Sequence, residues 1–347
     1  MIYNENGAVI IETGIEKVYN DYIETFNNLV SLDEAVSIDS IKDGLKKFGE
    51  KIATIIDKIV EAFNRLADFI DSKSRSALVA IVNEKKIKAG WRAFQGIMDK
   101  LKNNEVFENR NIATIAEYIN KEMENTCLFD IEGHLNKYDK AVNQFYLNNT
   151  ETKDEDDAES LANFYYDTLG KILIDKPFVI EKREGRLIDD RPHSYEISTQ
   201  INEYFSKARS GKFNKIEDII NQAKANTQVN RRINMVVKNL LKIKNKNFVQ
   251  RKDDTSNSDF FVYSAKIANI GVRILVDYGN KLIREINFSV NTSTTICLAL
   301  GKLSKHLSKA DVIDAEFTVR DAEPKRKKEK ESKTNTNPQS NLRLTMA

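Results

Sequence analysis

The residues of this sequence that could do chemistry are mainly cationic. Between Ile219 and Lys252 the chain carries nine lysines or arginines and no aspartate or glutamate. On a helix, Arg231, Lys238 and Lys242 share one face because they lie seven and four residues apart. Phosphate binding needs several such charges, since each neutralised phosphate releases counterions and strengthens binding whatever the sequence. The alternative is a solvated helix face whose charges pair with acids elsewhere in the fold. The candidate nucleic-acid-binding residues are Arg231, Arg232, Lys238, Lys242, Lys244, Lys246, Arg251 and Lys252.

Residues suited to catalysis or metal binding are sparse and scattered. The three histidines, His134, His193 and His306, do not form a His-Glu-x-x-His motif or stand beside a cysteine pair. Glycine-rich phosphate loops and a Gly-x-Ser-x-Gly elbow are absent from the sequence. Asp189 and Asp190 fit the turn of a hairpin better than a nuclease carboxylate pair. We therefore expect no enzyme activity, no metal and no cofactor.

The elements that would position these charges are long helices. Apolar residues between Ile38 and Phe69 alternate three and four positions apart, which is the spacing of a coiled-coil seam. Such a seam predicts self-association through 38–69, a membrane-surface helix, or packing within the chain's own bundle. The seam residues are Ile38, Ile41, Leu45, Phe48, Ile52, Ile55, Ile59, Ala62, Leu66 and Phe69.

The rest of the chain also favours helices, because 347 residues contain only 4 prolines and 13 glycines. The fold class predicted is mainly α: a multi-helix bundle with long amphipathic helices, a minor β-hairpin at 178–188 and a disordered C-terminal tail. A break near Ser72–Ser76 would turn the seam helix and its continuation into a helical hairpin. No stretch approaches the roughly 18 apolar residues of a membrane span, so none is expected. Further helices are expected at 14–31, 111–125, 132–148, 157–175, 194–208, 214–247, 259–285 and 292–308.

Charge divides the chain more clearly than apolar content does. Residues 1–34 contain seven acids against Lys17 and carry a net charge of −6, although the whole chain is at +2. Residues 323–347 contain seven bases against three acids. Blocks of one charge are typical of interaction or targeting arms. The predicted organisation is an acidic leader (1–34), a coiled-coil-like helical domain (35–150), a second helical domain with the basic helix (151–322) and a basic tail (323–347).

A short motif follows the acidic leader. Leu32, Glu34 and Ala35 form Leu-x-Glu followed by a small residue, and a long amphipathic helix comes next. This arrangement resembles the processing signal of prohead proteases of large tailed bacteriophages, and the layout is similar to that of their internal head proteins. The resemblance implies a leader trimmed between Glu34 and Ala35 and a helical remainder packed with the genome. A helix end followed by a loop is the alternative for these residues.

Together these features predict a non-enzymatic phage virion structural protein, internal to the capsid and packaged with or near DNA. Its partners would be DNA, other virion proteins or a second copy of the chain, and it would pass through the host cytoplasm during assembly. The alternative is a nucleic-acid-binding or scaffolding helical protein outside the particle. An enzyme with an unrecognised helical active site is a third class, and salt-dependent DNA binding separates it from the other two.

Overall fold

The chain folds mainly into helices, and the predicted mainly α bundle is confirmed. The computed structural model describes residues 2–3, 9–10, 38–81, 83–103, 110–125, 127–151, 158–179, 190–208, 211–212, 215–225, 228–244 and 258–331. Its helices are α1 (Ile38–Ile81), α2 (Glu84–Lys102), α3 (Arg110–Asn125), α4 (Ile131–Glu151), α5 (Ala158–Ile174), α6 (Asp190–Ala208), α7 (Ile216–Ala225), α8 (Val229–Lys244) and α9 (Ser258–Glu331).

Helix α1 buries the seam within its own chain. Ile52, Ile55 and Ile59 have no exposed surface, and the apolar face continues to Ile70. Helices α7 and α8 pack against α1. Of the alternatives for the seam, packing within the bundle is therefore the one observed from Phe48 onward. The side chains of Ile38, Ile41 and Leu45 lie outside the described residues.

Helix α1 runs on past Arg75 to Ile81, so the break near Ser72–Ser76 that would give a helical hairpin is not observed. The segment holds no glycine or proline, so remaining helical costs little. An ion pair between Arg75 and Asp71, one turn apart at 2.6 Å, supports the same turn.

Two other boundaries also differ from the prediction. The helices expected at 259–285 and 292–308 form one helix, α9, because the segment between them has no glycine or proline and buries Ile286 and Val290 in the core. The helix expected at 214–247 is instead two, α7 and α8.

The hydrophobic core lies where α1, α4, α5, α6, α8 and the middle of α9 meet. Helix α9 comes close to α4 because two of its glycines lie under aromatic rings. A Cβ at Gly271 would lie 2.3 Å from the Phe145 ring, and one at Gly279 would lie 2.6 Å from the Tyr138 hydroxyl. The Tyr138 hydroxyl donates to the Leu275 carbonyl at 3.0 Å, so the ring is held in place on α9.

Strands are a minor part of the described chain. Two antiparallel pairs join β1 (Ile2–Tyr3) to β2 (Val9–Ile10) and β3 (Cys127–Leu128) to β4 (Gly211–Lys212). Most of the hairpin predicted at 178–188 lies outside the described residues. Its first residues follow the end of α5, where Asp175 has a φ of 60°. Val179 exchanges backbone hydrogen bonds of 3.0 and 2.7 Å with the Gln200 side chain rather than with a strand.

The contacts divide the chain into two units. The first consists of 1–84 and 119–298, and the second of 85–118 and 299–347. The predicted boundary at residue 150 falls inside the first unit, where α1 and α4 pack against α8. Helix α9 extends to Glu331, so 323–331 of the predicted tail are helical, and 332–347 lie outside the described residues.

Candidate nucleic-acid interface

The basic helix predicted from sequence is α8, and its apolar face determines which way its charges point. Helices α1 and α4 cover that face. The buried side chains follow the three–four spacing of an amphipathic helix. They are Val229, Ile233, Val236, Leu240 and Ile243, all no more than 4% exposed. The opposite face of α8 therefore faces solvent.

Three of the predicted cations form a line on that outer face. Arg231, Lys238 and Lys242 are exposed, and each makes no ion pair or hydrogen bond with any residue that the structure describes. At 1.5 Å per residue they are spaced about 10 and about 6 Å apart along the axis. All three point within about 40° of one another around the helix, at 100° per residue. We call these three residues the α8 stripe.

Two other predicted cations are tied to neighbouring helices. Arg232 donates to Glu132 Oε1 of α4 from Nη2 at 2.8 Å and from Nε at 3.1 Å. Lys244 donates to Asp57 Oδ1 of α1 at 2.6 Å. Each pair is partly exposed, so its net stabilisation is small, and it follows from the way the buried apolar face packs α8 on α1 and α4. Arg232 and Lys244 therefore fit the alternative to phosphate binding, in which the cations of the helix pair with acids elsewhere in the fold.

The remaining predicted site residues cannot be placed. Lys246, Arg251 and Lys252 lie outside the described residues, as do Leu32, Glu34 and Ala35 of the processing motif. Of the eight predicted cations, the described structure therefore brings three together and pairs two with acids.

The surroundings of the α8 stripe suit a phosphate backbone more than base edges. Helix α8 itself contains no acid, and the exposed residues beside the stripe include Met235 and Leu241, at 43% and 37% exposure. Sequence-specific reading needs planar hydrogen-bonding groups directed at base edges, and Arg231 is the one such group in the stripe. Lys238 and Lys242 are point charges, which suit phosphates. Asn239 is not available for such reading, because its amide donates to Asp139 Oδ1 at 2.6 Å. The α8 stripe can therefore attract a polyanion without selecting its sequence.

A second polar group, which the sequence analysis did not single out, lies between α4, α6 and α9. His134 Nδ1 lies 3.1 Å from the Tyr278 hydroxyl, and both side chains are buried. At the edge of this group Lys137 donates to Asp175 Oδ2 at 2.5 Å and to the Tyr204 hydroxyl at 2.8 Å. We call these five residues the His134 cluster. His134 and Lys137 lie three apart on α4, but their partners come from distant segments that no local pattern links.

The charge states of the His134 cluster are those of a structural network. Burial, helped by the nearby Lys137 ammonium, lowers the pKa of His134 to about 4. Its ring stacks on Phe129 with centroids 4.6 Å apart, as a neutral imidazole readily does. Burial works to lower the pKa of Lys137, but the hydrogen bonds to Asp175 and Tyr204 outweigh it and raise that pKa. A neutral histidine between aromatic rings and a lysine paired with aspartate suit packing.

The described part of the chain contains neither a metal-binding group of side chains nor a helix that could span a membrane. None of its histidine, cysteine, aspartate and glutamate side chains gather in threes in a way that could hold a metal ion. None of its helices combines the length and apolar character that crossing a bilayer requires.

Comparison with known proteins adds no further constraint. No protein-family model, curated protein or solved structure matches this chain significantly.

Proposed function

We propose that this chain is a non-enzymatic structural protein of a tailed-bacteriophage particle, located inside the capsid, where it contacts packaged DNA. The contact is electrostatic and is made through the α8 stripe. The observation that carries the proposal is the set of three exposed cations on one helix face, without an ion-pairing partner among the described residues. Surface lysines and arginines scattered among acids attract a polyanion much less, since neighbouring carboxylates cancel their field.

The placement inside a particle rests on the sequence. An acidic leader of net −6 ends at the Leu32-x-Glu34-Ala35 motif, and removing it from a chain of net +2 leaves a body of net +8. An acidic segment opposes close approach to phosphate, so its loss would increase the attraction of the body for DNA. This electrostatic gain supports removal of the leader during head maturation.

The DNA contact is tested by the salt dependence of binding. Each phosphate contact contributes about −0.9 to the slope of log K against log salt for duplex DNA. Replacing Arg231, Lys238 and Lys242 with glutamine should therefore flatten the slope by up to about 2.7, with little dependence on DNA sequence. The measurement is fluorescence anisotropy of a labelled duplex at several salt concentrations.

The matched control neutralises two exposed cations that already have partners. Arg75 pairs with Asp71, and Lys171 pairs with Asp167 at 3.3 Å, each within one helix. Arg75→Gln with Lys171→Gln lowers the net charge without touching the α8 stripe. For each variant, the change in slope is divided by the number of charges removed. If this value is the same for the double and the triple variant, binding reflects net charge alone and the α8 stripe is only solvated surface.

The location is tested on the particle itself. In mature virions the protein should begin at Ala35, and Glu34→Gln should leave the leader attached because the carboxylate read by the protease is gone. Intact-mass analysis of the protein from purified virions measures this directly. Met1 found intact in mature particles would end the processing claim, and absence from particles would end the virion proposal.

A second candidate function, nucleic-acid binding or scaffolding outside the particle, is favoured by the same α8 stripe. It predicts the same salt slope but no co-purification with virions. The virion fraction therefore separates the two.

A further inference from the structure

Helix α2, in the second unit, also has one buried face and one cationic face. It contains Lys85, Lys86, Lys88, Arg92, Lys100 and Lys102 against only Glu84 and Asp99. Its apolar side chains are buried along the opposite side: Ile87, Trp91, Phe94 and Ile97. The sequence analysis did not single out this helix, because its cations are interspersed with apolar residues and two acids.

Gly90 determines the rotation of α2 within its unit. The Gly90 backbone lies so close to α9 that a Cβ there would be 2.1 Å from the Leu300 carbonyl oxygen. Only hydrogen fits at this contact, so α2 cannot turn without separating from α9. The face opposite Gly90 is consequently kept in solvent.

On that outer face, Lys85 and Arg92 are exposed and lie seven residues apart, or about 10 Å along the axis. Neither makes an ion pair or hydrogen bond with another described residue. The small exposed residues on this face are Ala89, between them, and Gly96, beyond Arg92, where a Cβ would meet nothing within 4 Å. Lys86 and Gln95 are exposed to either side of it. Asp99 is the acid at the far end of this face, more than one turn beyond Arg92.

We infer that Lys85 and Arg92 form a second phosphate-binding face, the α2 stripe, and that its partner is duplex DNA. The inference rests on the proposed function, which it extends to the second unit. The spacing of Lys85 and Arg92 repeats that of Arg231 and Lys238 in the α8 stripe. The small side chain of Ala89 between the two cations leaves room for a phosphate backbone to approach this part of the helix. Charge complementarity selects a polyanion as the occupant, since the surface has no exposed aromatic or aliphatic anchor.

The experiment extends the salt titration to Lys85→Gln with Arg92→Gln in the full chain. This double variant should flatten the slope by up to about 1.8, because each phosphate contact contributes about 0.9. Raising salt from 50 to 200 mM should weaken the contribution of these two contacts about 12-fold, and that of the three of the α8 stripe about 40-fold. Combining both sets of substitutions should remove most of the salt dependence.

Three outcomes decide between the proposals. Flattening that exceeds the effect of Arg75→Gln with Lys171→Gln supports the α2 stripe. A slope equal to that of this charge-matched control, while the α8 variant loses binding, overturns the α2 stripe and leaves the proposed function standing. Absence of DNA binding by the unaltered chain overturns both. Circular dichroism of each variant verifies that the helices are intact, which is expected for substitutions at exposed positions.

Discussion

The sharpest test of the fold concerns the seam of α1. We expect Ile52→Asp with Ile59→Asp to unfold the first unit rather than dissociate an oligomer. Both isoleucines have no exposed surface, and they lie in a core shared by α1, α4, α8 and α9. A self-association seam would instead leave the monomer folded after the same change.

The magnitude follows from this burial. Each substitution loses the burial of an isoleucine, about 2 kcal/mol, and places an unpaired carboxylate in an apolar site at a further cost of about 3 kcal/mol. The two sites are about 10 Å apart along α1, so their effects should be nearly additive at about 10 kcal/mol. Domain stabilities are about 5–15 kcal/mol, so the double variant should have little or no folded population.

The assay is urea unfolding followed by circular dichroism, with molar mass from light scattering on the same samples. Ile52→Ala should lower the unfolding free energy by about 2–5 kcal/mol and serves as the graded version of the change. Lys47→Asp is the control, because that side chain is exposed on the same helix. The reasoning would be refuted if the double-aspartate variant kept native helicity and cooperative unfolding while its molar mass in solution fell from that of an oligomer to that of a monomer.

Two further predictions concern pH and packing. The folded pKa of His134 is about 4, below the unfolded value of about 6.5, so only the unfolded state takes up a proton between these values. The free energy of unfolding should therefore fall by up to about 3 kcal/mol as pH drops from 6.5 to 4. His134→Phe should lack this pH-dependent loss, which urea unfolding at several pH values measures. The same pH dependence of the unfolding free energy in the unaltered chain and in His134→Phe would contradict this prediction. Gly90→Ala should destabilise by about 1–3 kcal/mol in thermal unfolding because its Cβ would meet the Leu300 carbonyl, whereas Gly96→Ala on the same helix should stabilise by up to about 1 kcal/mol. Equal effects of the two alanines would show that Gly90 does not hold α2 in place.

Local patterns predicted the helices well where one face is apolar. The seam spacing locates α1, and the alternation of apolar and basic residues locates α8, because burial of one face is what stabilises a helix in a protein. The patterns failed at boundaries. The helices expected at 259–285 and 292–308 are one, because Ile286 and Val290 between them are buried. The single helix expected at 214–247 instead ends at Ala225, and the next begins at Val229.

The sequence by itself determined the helical class, the buried face of α1 and the number of cations on α8. It also determined the acidic leader and its motif, whose processing remains a prediction. Only the tertiary structure decided which of the described cations of α8 pair with acids. Arg232 meets Glu132 across 100 positions, and Lys244 meets Asp57 across 187. No local spacing encodes such pairs, because they depend on how α8 packs on α4 and α1. The α2 stripe shows the same dependence, since its exposure is set by the fit of Gly90 against the backbone of α9.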